Sequence, residues 1–192
     1  MGVRVAVVAG STRSGSFAKQ LGRAAAAQIV AAGGDAEFVD LRDYAMPLYD
    51  GDLEEAHGLP EGALKLRELL KRCDALLVVS PEYNASIPAV LKNAIDWLSR
   101  PHAAEPDVAV LRGKVAALLS SSPGALGGMR GLVHLRQILM NLGMLVVTEQ
   151  FALGGAGKAF ADGGALADDG HRAAVDKVVT ALVRTAAALR AN

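Results

Sequence analysis

Three stretches of strand length, Val3 to Ala9, Ala75 to Val79 and Val115 to Leu119, are apolar runs rather than alternating ones. A strand with one face in water alternates apolar and polar residues. A continuous run has to be covered on both faces, as in a parallel sheet held between two helix layers. Segments at helical spacing separate the runs. Phe17, Leu21, Ala25 and Ile29 recur every fourth residue and stop at Gly33-Gly34, and Pro60 opens a helix with Ala63, Leu66, Leu70 and Cys73 on one face. Pro88 to Leu98 carries Leu91, Ala94, Ile95 and Leu98, and Leu132, Leu135, Leu139 and Leu142 precede Gly143. A Gly-rich stretch, 154 to 170, leads to Val175, Val178, Val179, Leu182, Ala186 and Leu189. With short strands at Ala36 to Val39 and Leu145 to Val147, strands and helices alternate along the chain. The expected fold is a doubly wound α/β sheet of five parallel strands with helices on both faces. The 192 residues form a single domain, 1–192. Residues 42 to 59 read as one irregular connection broken by Pro47 and Gly51.

The first strand runs into Gly10-Ser11-Thr12-Arg13-Ser14-Gly15-Ser16-Phe17. A strand, a Gly/Ser loop and a helix N-terminus in succession make an anion site, because free backbone N–H groups and the helix dipole converge there. The loop adds hydroxyls and one fixed cation, Arg13, which suits the oxygens of a terminal phosphate. Two familiar phosphate loops do not fit. The dinucleotide fingerprint G-x-G-x-x-G is absent, and Ser16 stands where a triphosphatase loop needs lysine. A cofactor bearing a monophosphate fits best, against the bland alternative of a loop that only caps its helix.

Composition removes several other classes. Lys+Arg and Asp+Glu number 20 each, which gives no electrostatic ground for nucleic acid or an anionic membrane. Cys73 is the sole cysteine, so an internal disulfide and a multi-cysteine metal site are excluded. No stretch has the length and apolarity of a membrane span, and the first residues carry no basic leader, so the expected location is cytoplasmic. His57, His102 and His171 form no ligand pattern and read as surface residues; no metal site is expected.

In the strand order 2-1-3-4-5, strands one and three diverge at a switch point, and ligands bind outside the carboxyl ends of the strands there. The phosphate loop and Pro81-Glu82-Tyr83-Asn84 then flank one crevice, with the serine loop 120 to 124 beside them. A planar ring needs backbone donors and acceptors at its polar edge and a flat surface on one face. Tyr83 and its turn offer both.

These residues resemble the NADPH-dependent FMN reductases of flavodoxin-like fold, a family that includes quinone, chromate and azo-dye reductases. The resemblance rests on Gly10-Ser11-Thr12-Arg13 with Ser16-Phe17, on Pro81-Glu82-Tyr83-Asn84 with Ile87-Pro88, and on Leu91 through Arg100. Gly127-Gly128, Arg130 and Leu135-Arg136 continue it, so it spans nearly the whole chain. One departure is Ala18, where the family often carries asparagine. The resemblance implies that Ser11, Arg13, Ser16 and Phe17 hold the FMN phosphate, and that Pro81, Glu82, Tyr83 and Asn84 line the isoalloxazine. It places Ser120, Ser121 and Gly124 near the ring or the ribityl chain. The implied reaction takes a hydride from NADPH or NADH onto the flavin and passes electrons to a small acceptor: a quinone, an azo compound, chromate or free flavin. The cofactor carries that chemistry, so no side chain is named as catalytic. The family also implies a homodimer or homotetramer. Arg130, His134, Gln137 and Asn141 form a polar stripe that is either a solvated face or a subunit contact. The rival reading is a flavodoxin-type electron carrier without NAD(P)H turnover, though such carriers are usually strongly acidic and this chain is formally neutral.

Overall fold

The structure is a computed structural model that describes residues 2–103 and 110–190. Its strands are β1 (Arg4–Ala9), β2 (Asp35–Asp40), β3 (Ala75–Ser80), β4 (Val115–Ser121) and β5 (Leu145–Leu153). They form one parallel sheet in the order β2-β1-β3-β4-β5. The helices are α1 (Phe17–Ala31), α2 (Gly51–His57), α3 (Glu61–Lys71), α4 (Ala89–Leu98), α5 (Met129–Asn141) and α6 (Asp169–Arg190).

The apolar runs do what their composition requires. In β1, Val5 and Val7 face the layer of α1 and α6, whereas Ala6 and Val8 face the layer of α3, α4 and α5. β3 and β4 divide the same way, with Leu77 and Leu119 on the first side and Leu76 and Leu118 on the second. Every residue of β3 and β4 is buried. Truncating a fully buried leucine such as Leu77 or Leu118 to alanine costs about 2–5 kcal/mol, so the sheet is a stiff base for the loops at its edge.

Two elements differ from the reading of the sequence. β5 extends from Leu145 to Leu153, well past Val147. It is an edge strand with a register shift against β4 between Ala116 and Leu118, and its exposed Thr148 and Gln150 break the apolar pattern. The Arg136 guanidinium fills the irregularity, donating to the Val147 carbonyl at 2.8 Å and to Gln150 Oε1 at 2.9 Å. The connection 42–59 also contains α2, which buries no residue and so leaves no apolar period in the sequence. It is held locally: Asp50 Oδ1 accepts from the Asp52 N–H at 2.9 Å, and the Tyr49 hydroxyl meets Glu54 at 2.9 Å.

α4 pins this connection to the core. Asn93 and Trp97, one helical turn apart, both donate to the Pro47 carbonyl, at 2.8 and 2.9 Å. Asn93 Oδ1 also accepts from the Tyr49 N–H at 2.8 Å. The family-like segment Lys92 to Leu98 therefore serves the scaffold through these two residues. In the connection between α4 and β4, residues 104–109 lie outside the described residues.

Candidate active site at the carboxyl edge of the sheet

The loop after β1 stays tied to the sheet at its start, where the Gly10 N–H donates to the Val79 carbonyl of β3 at 2.9 Å. A Cβ on Gly10 would come within 2.9 Å of Leu91 Cδ2, so this residue lets the loop leave the sheet over α4. Ser11 is buried, and its hydroxyl accepts from the Arg13 N–H at 3.3 Å. Ser16 is the N-cap residue of α1 and is buried too, yet its side chain makes no capping hydrogen bond. Arg13 is exposed, with its guanidinium 5.5 Å from the centre of the Phe17 ring.

The loop after β3 is a tight reverse turn. Tyr83 and Ser86 exchange backbone hydrogen bonds of 2.9 and 3.0 Å, and Asn84 and Ala85 between them both have positive φ, 51° and 63°. That two-residue turn projects Tyr83, which is 52% exposed, as a flat surface. The third loop, after β4, is shaped by its glycines. A Cβ on Gly127 (φ 63°) would lie 2.6 Å from the Ala152 backbone, and the buried Ser120 hydroxyl holds the Gly127 carbonyl at 2.8 Å.

The loops meet at one cleft of about 340 Å³. Arg13, Ser16 and Phe17 line it from the first loop, Pro81, Glu82 and Tyr83 from the second, and Ser121 from the end of β4. Ser11, Asn84, Ser120 and Gly124 do not line it; Ser11 and Ser120 are committed to the loops' own hydrogen bonds, and Asn84 to the turn. Ser121 Oγ is buried without a hydrogen-bond partner among the described residues. A buried hydroxyl left unpaired is costly, so a polar group from a ligand is what this atom is suited to meet. A larger groove of about 510 Å³ runs beside β2, but its lining includes the ion pair of Arg72 and Glu37, and it shares no residue with the cleft.

Several side-chain contacts were not visible in the sequence. The Glu82 carboxylate lines the cleft but is turned towards α5, accepting from Arg130 Nε at 2.8 Å, from Arg130 Nη2, and from the Gly131 N–H at 3.1 Å. Burial of Glu82 works to raise its pKa, but the hydrogen bonds from Arg130 and Gly131 and the Arg130 charge outweigh it and hold the carboxyl below its usual range. The polar stripe on α5 thus faces its own chain in part, since His134 Nδ1 also lies 2.9 Å from the Ser86 hydroxyl. The signal was available: an arginine in the first turn of a helix opposes the dipole and calls for an acid close by. Lys19 on α1 is buried and paired with Asp40 at 2.6 Å.

Comparison with known proteins gives the family. The profile of the NADPH-dependent FMN reductase family matches residues 3–158. The chain belongs to that family. It is 39% identical over 158 residues to a quinone reductase of Escherichia coli K12, covering 80% of this chain and 78% of that one. It is 37% identical to an NAD(P)H-dependent FMN reductase of Pseudomonas aeruginosa, covering 94% and 93% of the two chains. Among solved structures, the flavoenzyme FerB of Paracoccus denitrificans, an NAD(P)H:(acceptor) oxidoreductase, superposes with a TM-score of 0.83 at 29% identity, over 97% of this chain and 98% of that one. As an FMN reductase the chain is an oxidoreductase with a flavodoxin-like fold, FMN as its cofactor and a reduced nicotinamide as its donor. The cleft residues fit FMN: a cation and a free N-cap hydroxyl stand at the helix N-terminus, and a buried unpaired hydroxyl stands at Ser121.

Proposed function

We propose that this FMN reductase passes electrons from NADPH or NADH to small acceptors at the cleft between the three loops, with quinones foremost and azo compounds, chromate and free flavin as further candidates. The observation that carries the reading is the convergence of the phosphate-type loop, the Tyr83 turn and the partnerless Ser121 hydroxyl on one open cleft. The quinone preference is taken from relatives named for that activity.

Each residue has a physical task in this reading. Arg13 and the amides of loop 10–16, with the Ser16 hydroxyl, bind the phosphate by charge and hydrogen bonds. Tyr83 and Pro81 border the ring, and Asn84 acts through the turn that presents Tyr83. Ser121 supplies a hydrogen bond to the ring or the ribityl chain. Ser11, Ser120 and Gly124 act through the shape of their loops. When bound, the flavin accepts a hydride and releases its electrons to the acceptor. The chain's part is to hold the ring still and leave one face open, so that donor and acceptor use the cleft in turn. Ping-pong kinetics follow.

The same reading makes the protein cytoplasmic, where reduced nicotinamides are at hand, and a homodimer or homotetramer. Met129, Val133 and Met140, exposed on α5, are candidates for the subunit contact beside Arg130. Light scattering of wild type and Arg130→Glu tests that contact; an unchanged mass returns the stripe to solvent. The function is tested by anaerobic stopped-flow mixing of the flavin-loaded protein with each nicotinamide, followed by turnover across the acceptor panel. Rapid bleaching and turnover with quinones are expected. Slow or absent bleaching with both donors would replace the reductase by an electron carrier.

A further inference from the structure

The tip of the phosphate loop has little to hold it. Thr12, Arg13, Ser14 and Gly15 are all exposed, and a Cβ on Gly15 would touch nothing within 4 Å. Within the loop the bonds are the Arg13 N–H to Ser11 Oγ at 3.3 Å and the Ser16 N–H to the Arg13 carbonyl at 3.2 Å. An anion site built from backbone amides works only if those amides already point inward. Otherwise each binding event has to order the loop first.

The end of β2 supplies a tie from outside. Asp40 is a double anchor: its Oδ2 lies 2.6 Å from the buried Lys19 ammonium on α1, and its Oδ1 accepts from the Arg42 N–H at 3.0 Å. With its backbone fixed in this way, Arg42 reaches back over the loop, and its Nη2 donates to the Thr12 carbonyl and to Ser14 Oγ, the latter at 3.3 Å. Where amides converge on an anion, the carbonyls between them point away from it. A guanidinium bound to the Thr12 carbonyl therefore sits on the outer wall of the loop. Arg42 is accordingly absent from the cleft lining, while Arg13 is present.

We propose that Arg42 is a positioning residue for the flavin phosphate: anchored through Asp40 to Lys19, it straps the loop from behind so that the loop is ordered before the cofactor arrives. The inference rests on the reading that loop 10–17 holds the phosphate. It assigns the two arginines different tasks, Arg13 inside the cleft and Arg42 outside it.

The test compares FMN with riboflavin, which has the same ring but no phosphate. Flavin-free full-length wild type, Arg42→Ala and Arg42→Lys are titrated with both flavins by fluorescence, and amide exchange of residues 11–16 is followed without flavin. Arg42→Ala should weaken FMN about tenfold, the loss of a charge-assisted contact felt through loop order. Riboflavin affinity should stay the same, and the loop amides should exchange faster. Arg42→Lys, which keeps the charge but not the fork, should fall between the two. Unchanged FMN affinity overturns the proposal, as does an equal loss for both flavins. Weaker FMN binding with unaltered amide exchange overturns it too, since Arg42 would then touch the phosphate itself. Wild type that binds riboflavin as tightly as FMN refutes the phosphate reading beneath it, and that outcome is read from wild type alone.

Discussion

Replacing Glu82 by alanine isolates the contact that joins the second loop of the cleft to the first turn of α5. The carboxylate accepts two hydrogen bonds from Arg130 and one from the Gly131 N–H, an otherwise unsatisfied donor in the first turn of α5. Its side chain is 7% exposed, whereas that of Arg130 is 58% exposed. The stranded arginine can thus be solvated, and the cost of a buried unpaired charge does not arise. What is lost is hydrogen bonding to a charged group, about 1.5–3 kcal/mol, together with a favourable helix-dipole interaction of about 0.3–1 kcal/mol. Solvent screening at Arg130 places the sum near the lower end, at about 2 kcal/mol. Urea unfolding of the flavin-free protein at pH 7 should show this loss for Glu82→Ala and about half of it for Glu82→Gln, which keeps an acceptor for Gly131. A double-mutant cycle with Arg130→Ala should return a coupling of about 1 kcal/mol. The pH dependence has a definite sign. The folded carboxyl titrates below its usual range, so its contribution is present above the unfolded value of about 4.3 and is lost as pH falls through the lower folded value. The gap between wild type and Glu82→Gln should close in that acidic window. A difference within about 0.5 kcal/mol at pH 7, or one that does not change with pH, refutes the argument.

Three further outcomes follow from the site and the core. Arg13→Ala should weaken FMN binding about 10- to 150-fold, the value of one charge-assisted hydrogen bond, with unchanged thermal unfolding of the flavin-free protein; isothermal titration measures it. Ala85→Gly should raise stability by about 1 kcal/mol, because Ala85 adopts φ 63°, a region that costs a residue bearing a Cβ about 1–2 kcal/mol while glycine enters it freely; chemical denaturation reads the change. Cys73 is buried, and that burial, with the nearby Glu37 charge, pushes its thiol up to about 11, so a thiol reagent at pH 8 should leave it unmodified until the chain is unfolded.

The stretches most legible in the sequence were those where one local requirement acts alone. Continuous apolar runs have to lie inside a sheet covered on both faces, and β1, β3 and β4 do. Where that requirement weakens, so did the reading. β5 pairs on one side only, so polar residues are tolerated along it and its length was underestimated. α2 buries nothing and owes its form to Asp50 and to the Tyr49 contact with Glu54, neither of which leaves a periodic trace.

The sequence by itself determined the sheet class and, through the family resemblance, the strand order and the cofactor. The sheet class follows from periodicity, and the motifs that carry the resemblance are short runs of glycine, serine and proline at strand ends, all of which act over a few neighbouring residues. Only the tertiary structure decided what each polar side chain in those loops meets. Glu82 turns to a helix that begins 47 residues later, with its Oε2 on Gly131, and Arg42 crosses 30 residues back to Thr12. Lys19 is buried because Asp40 stands opposite it. Such pairings depend on which chain segments the parallel sheet brings side by side at its carboxyl edge, and Coulomb and hydrogen-bond energies are set by that distance rather than by separation along the chain.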